Sequence, residues 1–327
     1  MSHPPSLPTV EIVVVNWKRY DLTTACIDSL RPEVVDPSRK VTVVDNGSQD
    51  GSAERLADEF PWVDLIALSE NGGFAAGVNA ALARTSADIV VLLNNDALAT
   101  PGFVDHLIEP FHGDPELGAT TARLLLLEED GTSRLTNSTG NVLDASANGG
   151  DRDWLVPDPT DSPPDVFGFC GGACALRTRA VTDVGLLDES LFMYYEDTDL
   201  SWRLRRKGWT IRYVRDAIAL HRHASSSGAD SELFVVTNTR NRLVVALRHA
   251  PWGMVRRALL RTAARLALDA LVGIRDSASG RKAVWRGRGL VGFLQAVPAT
   301  LRQRRRFDDE ATVDRDAVLD ATGLAPQ

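Results

Sequence analysis

The sequence predicts an α/β fold: a mainly parallel central sheet flanked by helices, with a helical extension at the C-terminus. Two observations predict the sheet. Apolar strand-like runs alternate with amphipathic stretches over the first hundred residues or so, which is the signature of right-handed βαβ units. Each run also ends in polar or glycine-rich residues, as expected where ligands bind beyond the carboxyl ends of strands. A third observation predicts the extension: from Glu232 to Arg306 the periodicity is helical and the charge strongly basic.

After a Pro-rich leader, "VEIVVVNW" (10–17) reads as a buried strand, and "DLTTACIDSLRP" as a helix with Asp21 at its N-cap and Pro32 beyond its end. "KVTVVDNGSQDGS" (40–52) repeats strand and turn, "SAERLADEF" is helical, and "VDLIAL" (63–68) is a third strand. "ENGGFAAGVNAALART" is a glycine-rich loop entering an Ala-rich helix, and "ADIVVLLNND" is the fourth strand. From Gly131 to Pro164 turn formers dominate, which predicts irregular hairpins or a mobile flap. Order returns in residues 166–214: an apolar strand broken at Gly171-Gly172, a short helix, then the helix of "MYYEDTDLSWRLRRKG" with Gly208 at its C-cap, then "WTIRYV". "AIALHRHASSSG" brings His221 and His223 to a strand end, on the same side. The expected divisions are a flexible leader (1–9), an α/β domain (10–230), a basic helical region (231–306) and an acidic disordered tail (307–327).

Bulk properties narrow the class. The 327 residues are 44% hydrophobic and 24% charged, an ordinary globular balance. Three cysteines are too few for a disulfide framework, which points to a reducing compartment; Cys170 and Cys174 alone make a weak zinc signal. The N-terminus lacks the basic start and apolar core of a signal peptide, and no apolar stretch approaches the roughly 18 residues of a membrane span. The expectation is therefore a cytoplasmic protein. The net charge of −8 conceals thirteen Lys or Arg against two Asp between Ala250 and Arg306. Such a segment suits either docking on an anionic membrane surface or a helical pair packed on the rest of the chain with its basic face solvated; the acidity of the rest disfavours nucleic acid.

Four clusters are candidates for chemistry. Asn71-Gly72-Gly73 is either a tight turn or a loop letting a diphosphate approach a helix N-terminus. Asp45, at the end of the second strand, either caps its turn or accepts hydrogen bonds from a base or ribose. Glu196 and Asp197 follow an aromatic run, where burial raises a carboxyl pKa and suits it to act as a general base; Asp199 is expected to pair with Arg203. In "LLNNDA", Asn94, Asn95 and Asp96 leave a buried strand with one carboxylate, and Mg²⁺ commonly takes only one or two.

Six stretches in order resemble glycosyltransferase family 2, the inverting sugar-nucleotide enzymes of the GT-A fold: "VVVNW", "VVDNGSQDGS", "NGGFAAGVNAAL", "LLNNDA", "GGACALRTRAVTDVGLLDESLFMYYEDTDLSWRL" and "ALHRHASSS". The branch most resembled is that of bacterial rhamnosyltransferases. The resemblance implies that Asn16, Asp45, Asn71, Gly72, Gly73, Asn94 and Asn95 hold the sugar nucleotide. It also implies that Gly171 and Gly172 line the donor-sugar and acceptor pocket. Asp96 and His221 would hold Mg²⁺ or Mn²⁺, and Asp197, positioned by Glu196, would be the catalytic base. His223 has no counterpart. The implied partners are a sugar nucleotide donor, a glycan or polyprenyl-linked acceptor and an anionic membrane surface met by residues 250–306, which would place the protein on the inner face of the plasma membrane. Asn137-Ser-Thr matches a glycosylation sequon by chance. A dehydrogenase would want a glycine fingerprint after the first strand, and a nucleotidyltransferase a basic glycine-rich loop near the N-terminus; neither is present. A non-catalytic sugar-nucleotide binder is the alternative from another class.

Overall fold

The computed structural model describes residues 8–128, 131–133, 135–157, 161–222 and 231–322. His223 lies outside them. Four strands, β1 (Val10–Asn16), β2 (Arg39–Asp45), β3 (Asp64–Ala67) and β4 (Ile89–Leu93), alternate with α1 (Tyr20–Leu30), α2 (Ser52–Glu59) and α3 (Gly73–Leu82). All are parallel, with Asn16 beside Asp45 and Asp45 beside Ala67, so their carboxyl ends share one edge. Side chains alternate between two faces. Ile12 and Val14 join one buried cluster with Ile27 and Leu30 of α1, while Val13 joins another with Ala75 and Val78 of α3.

The chain continues through β5 (Ala97–Ala99), α4 (Phe103–Ile108), β6 (Leu117–Leu126), β7 (Thr136–Ser138), β8 (Asn141–Leu143), β9 (Gly149–Asp151) and β10 (Ala173–Arg177). Next come α5 (Thr178–Val184), α6 (Glu196–Arg206) and β11 (Thr210–His221). The sheet order is β3-β2-β1-β4-β10-β6-β11-β5, with β7 on β6. It is mixed: β10 runs antiparallel to both β4 and β6, and β5 antiparallel to β11. The parallel start was legible in the β-branched runs, whereas the reversal at β10 depends on a long excursion whose path no local pattern fixes.

Several local expectations shift. Arg19, not Asp21, is the N-cap of α1, and Asp21 lies in its first turn. Gly171-Gly172 does not interrupt a strand; β10 begins at Ala173, just after it. Within the turn-rich segment β8 pairs antiparallel with β9 as a separate two-stranded sheet, the hairpin alternative of the two expected there. "WTIRYV" and "AIALH" are one strand, β11, with a register shift between Val214 and Ile218.

Beyond the sheet lie α7 (Glu232–His249), α8 (Trp252–Gly273), α9 (Ser277–Asp309) and α10 (Arg315–Ala321). They share a third buried cluster with the sheet domain, including Tyr195 and Trp202 from around α6, Leu243 and Leu247 of α7, Met254 of α8 and Phe293 of α9. Residues 307–309 complete α9, and α10 buries Val318 and Leu319, so the acidic segment expected to be disordered is helical over 307–309 and again over Arg315–Ala321. Its acids explain this: Asp308 pairs with Arg206 at 2.8 Å and also with Arg315. The basic edge of α8 turns inward. Arg257 donates to the Ala145 carbonyl at 2.7 Å, and Arg261 to Asp144 and Ser146 of the β8–β9 turn. No helix of the described residues is long and apolar enough to cross a membrane.

Candidate active site

The shared edge of β1, β2 and β4 gathers most of the expected residues. Asn16 and Asp45 are both buried and face each other, Asn16 Nδ2 donating to Asp45 Oδ1 at 2.7 Å. Asp45 also accepts from Ser48 N at 3.0 Å and Ser48 Oγ at 2.6 Å, so it closes its turn. In the glycine loop, Asn71 Oδ1 accepts from Gly73 N at 2.9 Å, and Asn46 ties to both Asn71 and the Gly73 carbonyl. Gly73 has φ +85°, and a Cβ there would stand 2.1 Å from the Phe192 carbonyl oxygen. Only glycine permits that approach. It lets Phe74 N donate to the same oxygen at 2.9 Å, which couples the glycine loop to the segment before α6.

That segment is unusual. Phe192, Tyr194 and Tyr195 all have φ between 62° and 74°, a left-handed region that side chains other than glycine enter at a cost. Asn241 of α7 restrains them, its Nδ2 lying 2.8 Å from the Leu191 carbonyl and 2.9 Å from those of Met193 and Tyr194. The result is a sharp entry into α6 that turns Asp197 toward Gly171 and the strand edge, with Glu196 buried beside it.

Asp197 Oδ2 accepts from Gly171 N at 3.2 Å, and Oδ1 from Thr198 N at 2.6 Å. Burial raises its pKa, opposed by those amide hydrogen bonds. Glu196 beside it is pushed up to about 8 by burial and by the charge of Asp197. Gly172 then returns to the sheet, its carbonyl accepting from Asn94 N at 2.9 Å. Two glycines thus span from the carboxylate of α6 to the end of β4, next to the Asn94–Asp96 stretch. Asn95 Nδ2 reaches Thr23 at 3.0 Å.

Asp96 is buried, and its Oδ1 lies 3.0 Å from His221 Nε2 at the end of β11. His221 Nδ1 lies 2.6 Å from Asn137 Oδ1, which fixes the ring and turns Nε2 toward Asp96. Among the described residues, no three His, Cys, Asp or Glu side chains group to hold a metal; at this strand edge Asp96 and His221 stand as a pair. An oxygen–imidazole pair oriented by a third residue fits a divalent cation that draws its other ligands from phosphates and water.

Asn137 and Asp151 were not foreseen. Asn137, read only as a sequon, is buried beside the histidine. Asp151, in the turn-rich stretch, is exposed as a residue, while its carboxyl is desolvated near Ser138, Cys170 and Asp197. That desolvation, with the nearby charge of Asp197, pushes its carboxyl up to about 6. Asp199 belongs to a different environment. Burial would raise its pKa, but Arg248 at 2.5 Å, Arg203 at 2.8 Å and His249 at 2.9 Å hold it well below the carboxylate range. The cysteines are free, Cys26 and Cys174 buried and Cys170 partly so.

Residues 8–246 match the family model described as "Glycosyltransferase like family 2". The N-acetylglucosaminyl-diphospho-decaprenol L-rhamnosyltransferase of Mycobacterium tuberculosis is 30% identical over 241 residues, covering 65% of this chain and 76% of the relative. Among solved structures, GalNAc-T7 with UDP, GalNAc and Mn2+ aligns with TM-score 0.58 at 14% identity, over 75% of this chain and 49% of that one. The mannosyltransferase PcManGT from Pyrobaculum calidifontis, in complex with GDP-Man and Mn2+, aligns with TM-score 0.55 at 15% identity, over 89% and 88%.

Proposed function

The chain belongs to glycosyltransferase family 2 and has the GT-A fold, and from that premise we propose that it transfers L-rhamnose from dTDP-rhamnose to a hydroxyl of a lipid-linked, cell-surface glycan precursor, inverting the anomeric centre. The donor and acceptor rest on the mycobacterial relative, whose name carries both a rhamnosyl transfer and a diphospho-decaprenol acceptor. One observation carries the catalytic part: Gly171 and Gly172 tie the Asp197 carboxylate to the Asn94–Asp96 end of β4. A base and an anion-facing strand end therefore lie two residues apart.

In this reading Asp197 takes the proton of the acceptor hydroxyl as that oxygen attacks the anomeric carbon, while the nucleoside diphosphate leaves from the opposite side. One displacement inverts the configuration and needs no enzyme nucleophile. The raised pKa brings Asp197 nearer the working pH, and the Gly171 and Thr198 N–H groups keep its carboxylate aimed. Glu196 keeps a second carboxyl beside it. Asn16, Asp45 and the Asn71–Gly73 loop shape the nucleotide side, and Asn94 and Asn95 border the diphosphate. Asp96 and His221 would hold Mg²⁺ or Mn²⁺, which when bound supplies positive charge to the departing diphosphate. The Mn2+ in both neighbours supports this choice of ion.

The outer side of the α8–α9 pair exposes Leu260, Leu271, Ile274, Val291 and Leu294 beside exposed Arg256, Arg275 and Arg281. An apolar face fringed by arginines suits shallow docking on an anionic leaflet, which brings the enzyme to a lipid-linked substrate. Incubation with a panel of sugar nucleotides and Mn²⁺ tests the whole reading. Release of dTDP from dTDP-rhamnose is expected; turnover of a UDP- or GDP-sugar with dTDP-rhamnose inert overturns the rhamnosyl assignment, and no release from any donor favours a non-catalytic binder.

A further inference from the structure

Between the β8–β9 turn and helices α7, α8 and α9 lies an open cavity of about 480 Å³, lined by Arg242, Arg261, Arg265, Arg286, Asn148 and Asn238. Four guanidinium groups in one cavity repel one another, so their convergence needs a counter-charge. Two carboxylates answer part of it. Asp144 takes Arg261, and Asp269 takes both Arg265 and Arg286 through their ε nitrogens, each at 3.0 Å. Arg242 is buried, donates to the Thr262 hydroxyl, and pairs with no carboxylate among the described residues. Burial, together with the like charges of Arg261 and Arg286, holds its guanidinium below the ordinary value. Four cations against two carboxylates leave two positive charges over.

The β8–β9 pair links the cavity to the surroundings of Asp197. Asn148 lines it; the next residue, Gly149, donates to the Tyr195 hydroxyl at 3.2 Å; and Asp151 stands within electrostatic reach of Asp197. Three residues of extended chain span about 10 Å. That is the reach of a sugar ring and the phosphates on its anomeric carbon.

Resting on the transferase reading above, we infer that this cavity binds the diphosphate of the acceptor, the arginines and amides taking its oxygens while the acceptor's sugar lies toward Asp197. A diphosphate esterified at both ends carries two negative charges, equal to the excess in the cavity. Arginine is suited to it because its planar donors engage phosphate oxygens in pairs. Attachment of the lipid at the second phosphate then directs the chain toward the exposed apolar side of α8 and α9.

Calorimetric titration with inorganic pyrophosphate and with farnesyl diphosphate, in EDTA so that no metal-bound diphosphate forms at the strand edge, tests the site. Both are expected to bind the full-length protein, and to bind about tenfold or more weakly to Arg242→Gln. Because Arg242 is buried, Arg265→Gln serves as the second variant; its side chain is 55% exposed and its loss leaves Asp269 paired with Arg286. Unchanged affinity in a folded form of both variants overturns the site. Sedimentation with phosphatidylglycerol vesicles separates the sources: if both variants lose the vesicles and keep the diphosphates, the cavity reads phospholipid headgroups and the assignment fails. Wild-type turnover of dTDP-rhamnose is read separately. Turnover without pyrophosphate binding defeats the site alone, and pyrophosphate binding without turnover on any donor defeats the transferase reading alone.

Discussion

Asn241 holds the Leu191 carbonyl at 2.8 Å, although fifty residues and several elements separate them in the chain. Through the same amide it reaches Met193 and Tyr194, so one side chain of α7 restrains the left-handed segment that delivers Asp197. Replacing Asn241 by Ala frees those carbonyls and lets the strained backbone relax. The expected result is a loss of stability of about 1–3 kcal/mol and a lower kcat with donor KM little changed. Chemical denaturation and steady-state kinetics on the same preparation check it; a fall in stability with kcat intact makes Asn241 structural only.

The acid pair makes two opposite pH predictions. Asp197 acts as a base only when ionised, so its raised pKa means that turnover falls as pH drops through a limb above the ordinary aspartate range. Asp197→Asn is expected to lose about 10²- to 10⁴-fold in kcat. Stability runs the other way. Glu196 holds its proton up to about 8 when folded but ionises near the ordinary value when unfolded. Between those values the folded state binds the extra proton, so stability declines as pH rises. Glu196→Gln removes that decline, and thermal melts of the variant and wild type at pH 5 and 8 should diverge only at the higher pH.

Asn137 orients His221 without touching the expected metal position. Asn137→Ala is expected to raise the Mn²⁺ concentration for half-maximal turnover by about 10- to 100-fold, with the maximal rate approached when Mn²⁺ is in excess. A metal titration of turnover reads this directly. An unchanged midpoint removes His221 from the metal site.

Arg248 and Asp199 are fully buried partners. Arg248→Met leaves Asp199 with Arg203 and His249, and His249, whose imidazole is held down at about 4 chiefly by burial, against the pull of Asp199, is a poor replacement. Truncating one partner of a buried pair costs about 3–5 kcal/mol. Denaturation at neutral pH measures it, and a cost below 1 kcal/mol would mean that water reaches Asp199.

What the sequence revealed follows from how local each signal is. The four parallel strands and their polar ends were legible because a β-branched run and its turn lie within a dozen residues. Asp199 with Arg203 was legible too, being four apart on one helix. The remaining partners of Asp199 were not, since Arg248 and His249 lie some fifty residues on, in a stretch that reads as an ordinary helix. Asn137 and Asp151 were hidden differently. Both sit among turn formers, and only the docking of β7 on β6 and of β8 on β9 brings them to His221 and Asp197.

The Asp199 cluster also bears on descent. The family match stops at residue 246, inside α7, yet Arg248 and His249 stand just beyond it. The unit that sequence comparison recognises is therefore shorter than the unit that folds. Within the matched unit Asp199 keeps Arg203, while its partners Arg248 and His249 come from the part that the match leaves out. A chimera that exchanges the helices alone would leave that buried carboxylate with Arg203 as its one remaining partner among those described.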